Sequence, residues 1–165
     1  MPRKTDPATT TVRPFTMKPN NLPQRKKLPH EIPSWVQPGS AYFLTINATP
    51  RGQTQLTESE KSHQVFQSAT HHQEAGKWHL HLLLLMPDHL HAIATFHEDI
   101  SITNFIRSWK GYLAKTAGIQ WQTGFFDHRL RSDASFLEKA EYIRQNPVRA
   151  GLVESSEDWP HLFQG

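Results

Sequence analysis

The chain has 165 residues, which suits one domain of ordinary size, and no cysteine, which excludes disulfides, thiol nucleophiles and cysteine zinc sites. Its formal charge of +3 is unevenly spread: residues 1–30 hold seven Lys or Arg against one acidic residue, so the other 135 residues carry 11 basic and 14 acidic side chains. A uniformly basic nucleic-acid-binding body is therefore excluded, and any DNA-binding surface must be a local patch.

The first 33 residues contain seven prolines and little that could be buried. We expect them to form a disordered basic tail, either an arm that adds phosphate affinity or a solvated extension without a role. No signal peptide is visible, and the main apolar run, Leu82 to Met86, is too short to cross a bilayer, so we expect a cytoplasmic protein that does not enter membranes. Residues 34–165 are predicted to fold as one domain.

The folded part opens with a predicted strand at 41–47, followed by a helix over about 57–75. A second strand is predicted at 77–86. Its unbroken apolar end indicates a strand inside a sheet and covered on both faces.

Pro87 and Asp88 then predict a tight reversal, and a third strand runs from 89 to 96. If this is the turn, Met86 pairs with His89, and Leu84 with His91. The same register places His81 opposite Ala94.

A second helix is predicted at 101–117, a short extended piece at 125–130, and a last helix from Ser132 or Asp133 to about Asn146, because the residue before Pro147 disfavours helical angles. This order predicts an α+β fold with a ferredoxin-like antiparallel sheet and packed helices.

Eleven histidines are present, so about 0.7 His-x-His patterns are expected by chance, and two occur. On a strand, residues i and i+2 share a face, so either pair could offer two imidazoles to a metal ion. We favour His89 and His91, which open a strand beside a turn where a site can reach solvent. On the pattern alone, two surface-facing strand histidines are the favoured interpretation of this pair, and His79 and His81 are interpreted as sheet residues that bind no metal.

Of three tyrosines, Tyr42 falls in a strand and Tyr112 near the apolar stripe of a helix, so both are predicted to be structural. Tyr142 lies off the buried stripe of the last helix. Because Asn146 follows it by four residues, a phenol and an amide share one side of that helix. On spacing alone, a partly buried tyrosine with an asparagine at the helix end before Pro147 is the favoured interpretation.

Several motifs now stand in a definite order: MPDHLHAI at 86–93, WK at 109–110, WQ at 121–122, GFFDHRLR at 124–131, EYIRQNPVRAGLV at 141–153 and DWP at 158–160. Over about residues 35–162 the series closely resembles the REP-associated tyrosine transposases. These are relatives of the single-tyrosine insertion-sequence transposases, within the His-hydrophobic-His endonucleases.

The resemblance implies that residues 34–165 form a catalytic domain which cuts and rejoins single-stranded or hairpin DNA through a 5′-phosphotyrosine on Tyr142. It also implies a divalent metal, Mg²⁺ or Mn²⁺, held by His89, His91 and Asn146. The better-studied insertion-sequence members tend to carry glutamine at the last position. The expected substrate is the short palindromic repeats of bacterial genomes, met at the nucleoid by a monomer or homodimer.

Phosphate contacts are expected within the basic region 107–149, and the stacking candidates are Trp109, Trp121 and Phe126, unless the tryptophans fill the core. The predicted phosphate contacts are Arg107, Lys110, Arg129, Arg131, Arg144 and Arg149. Two other functions stay open: a ferredoxin-like nucleic-acid binder without chemistry, and a metal-dependent hydrolase of a small molecule.

Overall fold

The computed structural model describes residues 39–165, and the predicted basic tail lies outside the described residues. Five strands form one antiparallel sheet in the order β4-β1-β3-β2-β5. The strands are β1 Ala41–Asn47, β2 Trp78–Met86, β3 His89–Phe96, β4 Phe126–Arg129 and β5 Leu162–Gln164. The helices are α1 Ser59–Glu74, α2 Ile102–Ala117, α3 Asp133–Arg144 and α4 Asn146–Arg149, with a 3-10 turn at Ser156–Asp158.

The first six elements follow the order β-α-β-β-α-β, which is the ferredoxin-like arrangement, and β5 extends the sheet beyond β2. The predicted fold class is confirmed. Among residues 39–165, no helix is both long and apolar enough to cross a membrane.

One face of the sheet packs against α1 and α2, and we call it the two-helix face. Its core is mainly apolar, with Leu44, Leu90 and Trp109 buried within it. Strand alternation sends Leu90 to this face and its two neighbours to the other. The Trp109 indole N–H donates to Ser68 Oγ at 2.9 Å, which holds α2 against α1.

The opposite face carries His89 and His91 and is covered by α3, and we call it the histidine face. Its smaller core includes Phe43, Leu84, Ala140 and Ile143. The predicted pairs Met86–His89 and Leu84–His91 are confirmed.

The predicted register fails further along β2. A β-bulge between Leu80 and Leu82 places Leu80, not His81, opposite Ala94. A bulge adds one residue to one strand, which a register counted from the turn cannot anticipate. His81 instead bonds Thr95 Oγ1 through Nε2 at 2.9 Å.

Two further corrections concern the helices. The last long helix ends at Arg144, two residues before the predicted end, and Pro147 lies in the first turn of α4, where no N–H is required. Tyr112, predicted to be structural, is 49% exposed on α2, whereas Tyr42 is buried as expected.

Candidate active site

The histidine pair lies at the start of β3, directly after the Pro87–Asp88 turn. Strand alternation points both imidazoles to the histidine face, with ring centroids 4.9 Å apart. His91 is only 6% exposed and stacks on Phe43 with a centroid distance of 5.4 Å. The pair is therefore held rigidly at the edge of a packed cluster.

Each imidazole is held through its Nδ1 atom. His89 Nδ1 donates to Asp88 Oδ1 at 2.7 Å, and His91 Nδ1 bonds Thr45 Oγ1 at 2.9 Å. With Nδ1 held in this way, Nε2 of each ring is the nitrogen available to a metal ion. Partners of this kind orient the ligands in metal sites and select their tautomer.

The Asp88 carboxylate is itself firmly bound. Its second oxygen accepts from Gly52 N–H at 2.7 Å and from Arg51 Nε at 3.2 Å. Arg51 also donates to Asn47 Oδ1 at 2.6 Å. Burial opposes ionisation of Asp88, but the bonds from His89 and Gly52 and the charge of Arg51 lower its pKa overall.

Burial also sets the charge state of the imidazoles. It lowers the pKa of His91 to about 3, helped by the neighbouring His89, and it lowers the pKa of His89 against the opposing effect of Asp88. Both rings are therefore neutral near pH 7, which is the form that binds metals.

Helix α3 brings Tyr142 against His91, one member of this pair. The helix begins at a capping box in which Ser132 and Ser135 bond each other's backbone N–H, and Ala140 and Ile143 anchor it in the core. The Tyr142 ring lies 5.9 Å from the His91 ring and 6.1 Å from the Phe43 ring, by centroids. At 37% exposure it remains open to solvent.

Asn146 lies one turn after Tyr142, as its spacing predicted. Its Nδ2 donates to the Tyr142 carbonyl oxygen at 3.0 Å. This bond uses the amide nitrogen and leaves Oδ1 as the group that could bind a metal. Within residues 39–165, no three His, Cys, Asp or Glu side chains form a metal cluster, so a third protein ligand at this pair would have to be of another type, such as this amide.

Two cations flank the tyrosine ring. Lys139 Nζ lies 5.4 Å from the Tyr142 centroid, and the Arg149 guanidinium lies 5.2 Å from it. Arg149 was predicted as a phosphate contact, whereas Lys139 was only part of the predicted basic region. Lys139 precedes Tyr142 by three residues, and that helical spacing was the signal that could have selected it.

The other predicted phosphate contacts do not lie together at this site. Lys110 donates to the carbonyls of Gln122 and Gly124, and burial lowers its pKa, so its ammonium holds a loop. Arg107 is on α2, and Arg129 is in register with Tyr42, so both belong to the two-helix face.

Arg131 and Arg144 lie nearer the histidine face. Arg131 is exposed just before α3, and Arg144 makes a long hydrogen bond to Gln164 at 3.4 Å. Of the stacking candidates, Trp109 is core, Trp121 is partly buried against the core, and Phe126 is exposed.

A ferredoxin-like sheet that carries a His-hydrophobic-His pair beneath one helix-borne tyrosine is the arrangement expected of a single-tyrosine transposase. The comparisons with known proteins agree. The chain is 27% identical over 126 residues to the REP-associated tyrosine transposase of Escherichia coli (strain K12), and the match covers 74% of each protein. A relative from Haemophilus influenzae is also 27% identical, over 143 residues that cover 74% of this chain and 78% of that protein.

A solved structure of a REP-associated tyrosine transposase bound to a REP hairpin shares the fold, with a TM-score of 0.68 at 24% identity. The match covers 80% of this chain and 81% of that one. No protein-family model matches. The resemblance to the REP-associated tyrosine transposases is confirmed.

Proposed function

We propose that this protein is a transposase-type enzyme that cuts and rejoins single-stranded or hairpin DNA with Tyr142 as the nucleophile. The observation that carries the proposal is the contact between the Tyr142 ring and His91, on the face where the two histidines lie side by side. The transposase relatives support a DNA substrate, and the hairpin bound to the solved structure supports palindromic repeats.

The donor set fits a divalent metal ion. His89 and His91 would bind it through Nε2, since their Nδ1 atoms are engaged, and Asn146 would bind it through Oδ1. The ion would supply Lewis-acid polarisation of the scissile phosphate. The family implies Mg²⁺ or Mn²⁺, and imidazole ligands favour Mn²⁺ of the two.

In the proposed reaction the Tyr142 phenol oxygen attacks phosphorus and the bond to the 3′ oxygen breaks. The products are a 5′-phosphotyrosine and a free 3′-hydroxyl, so covalent catalysis divides strand transfer into two steps. A 3′-hydroxyl then attacks the phosphotyrosine and releases the phenol. Lys139 and Arg149 lie beside the ring, where they can stabilise negative charge on the phosphate and the phenolate.

The enzyme would meet its substrate in the cytoplasm, at the nucleoid, as a monomer or homodimer. Phosphate contacts would come from the cations of the histidine face, with Arg149 foremost because it lies against Tyr142. This local patch suits a protein whose residues after position 30 are net acidic.

The decisive experiment compares Tyr142→Phe with Tyr112→Phe on a labelled hairpin oligonucleotide. Tyr112 is the matched control, because it is also an exposed helical tyrosine but lies on α2. We expect Tyr142→Phe to abolish the covalent protein–DNA adduct seen on a denaturing gel and to leave binding intact, whereas Tyr112→Phe forms the adduct normally. In the same assay, EDTA should stop cleavage and added Mn²⁺ should restore it.

If Tyr142→Phe formed as much adduct as the unchanged protein, the nucleophile would be another residue. If cleavage continued undiminished in EDTA, the reaction would not require a metal ion. Binding of the hairpin without any adduct from the unchanged protein would favour the alternative of a catalytically inactive nucleic-acid binder.

A further inference from the structure

Phe126 is an exposed aromatic residue next to the candidate active site. It lies on β4, an edge strand of the sheet, and 44% of it is exposed. The sheet register pairs Phe126 with Thr45, and Thr45 with His91, so the three residues form one cross-strand row on the histidine face. Two strand spacings of about 4.8 Å place the Phe126 backbone roughly 10 Å from that of His91.

Phe126 continues a group of aromatic rings that surrounds the site. Its centroid lies 6.1 Å from that of Phe43 in an edge-on arrangement, and Phe43 in turn contacts both His91 and Tyr142. Phe126 is not a member of either apolar cluster in the described part of the chain. Burial of apolar surface within the chain therefore accounts for only part of this side chain, and the rest of the ring is open to a partner.

Positive charge lies beside the rings of Phe43 and Tyr142. Lys139 Nζ lies 5.6 Å from the centroid of Phe43, the ring that Phe126 contacts, and Arg149 lies over Tyr142 beyond it. An aromatic platform beside cations is the combination by which proteins hold unpaired nucleotides, since bases stack on the ring and phosphates meet the charges. A purely apolar partner would leave these cations unmatched.

We propose that Phe126 is the stacking platform for one unpaired nucleobase beside the phosphate that Tyr142 attacks. The inference rests on the proposed function, because it takes the phosphate position from Tyr142 and the histidine pair. The ligand is a single-stranded nucleotide. Its base lies on Phe126 and its phosphate points along the row towards His91 and Lys139. A paired base, already stacked in a duplex, would not bind there.

The test uses a hairpin oligonucleotide with a single-stranded extension that carries one 2-aminopurine, placed at each unpaired position in turn. The fluorescence of this base is quenched when it stacks on an aromatic ring. We expect quenching by the protein at one position, its loss in Phe126→Ala and its retention in Phe126→Trp. Affinity of Phe126→Ala for this probe should fall about 5- to 100-fold, with little change for a blunt hairpin.

Tyr112→Ala is the control, because it removes an equally exposed aromatic residue from α2. Quenching and affinity that are unchanged in Phe126→Ala, or lost equally in Tyr112→Ala, would overturn the inference. The adduct on Tyr142 is measured in parallel at saturating DNA. If the adduct forms but quenching is unchanged in Phe126→Ala, the stacking role of Phe126 is rejected and the proposed function stands. If quenching depends on Phe126 but no adduct forms, the proposed chemistry is rejected and the stacking role stands.

Discussion

The two faces of the sheet are made by the same strands but differ in composition and cover. On β3, Leu90, Ala92 and Ala94 enter the apolar core of the two-helix face, while His89 and His91 lie on the other side. Two long helices close the first face. One long helix covers the second, and it leaves Tyr142 and Phe126 open to solvent.

This difference shows how a small sheet can combine a stable core with a candidate active site. Side chains alternate along a strand, so Leu90, which lies between the two histidines in sequence, points to the opposite face and packs in the core. Leu90 is fully buried on the two-helix face, while the residues before and after it are the candidate metal ligands of the histidine face. Stability and chemistry should therefore respond separately to substitutions at adjacent positions.

The largest expected effects come from substituting Leu90 and His91 to alanine. Leu90→Ala should lower the free energy of unfolding by about 2 to 5 kcal/mol, because it leaves a cavity in the two-helix core. It should leave Mn²⁺ binding by the folded protein nearly unchanged. His91→Ala should abolish Mn²⁺ binding and the DNA adduct, and it should cost about 1 kcal/mol of stability. Chemical denaturation and calorimetric Mn²⁺ titration measure the two quantities.

The matched control is His81→Ala, from the other His-x-His pair. His79 and His81 have ring centroids 4.5 Å apart, close to the spacing of the candidate site, but His81 is bonded to Thr95 through Nε2. If His81→Ala lost Mn²⁺ binding and His91→Ala kept it, the metal would belong to the His79–His81 pair, and its assignment to His89 and His91 would be wrong.

The sequence was sufficient to predict four of the five strands and the pairing nearest the turn, because these depend on local signals, whereas the three-residue strand β5 was not predicted. Apolar runs bounded by turn residues predicted these strands, and the Pro87–Asp88 reversal determined which residues face His89 and His91. The bulge beside His81 could not be predicted, because an extra residue in one strand is decided by packing across the sheet. Tyr112 was misplaced because one helical stripe does not define how wide its covered face is.

A smaller effect is expected from Asp88→Asn, which tests how the site is held. The amide keeps the shape of Asp88 but loses the charge that stabilises the His89 Nδ1–H tautomer. Affinity for Mn²⁺ should fall about 10- to 100-fold, as for other partners of metal ligands. The same calorimetric titration measures it, and Thr54→Ala, an exposed substitution in the loop after Arg51, is the control. An unchanged affinity would show that His89 needs no carboxylate.

The contacts around Tyr142 were only partly predictable. Spacing on the helix grouped Tyr142 with Asn146, and the distance between α3 and the histidine pair emerged only from the tertiary fold. The basic region 107–149 was defined as one continuous stretch of sequence, so it included residues from both faces of the sheet. Sequence proximity therefore gave too many phosphate contacts, and the side of the sheet on which each cation lies is the better guide.

That reasoning gives the smallest predicted effect, a comparison of Arg149→Ala with Arg107→Ala. Arg149 lies over the Tyr142 ring, whereas Arg107 is exposed on α2, away from the histidine face. Each phosphate contact to single-stranded DNA contributes about 0.7 to the slope of log affinity against log salt concentration. Arg149→Ala should reduce the slope by about this amount, and Arg107→Ala should leave it unchanged. Equal reductions would mean that DNA contacts both faces, and the division between a stabilising and a reactive face would then not extend to substrate binding.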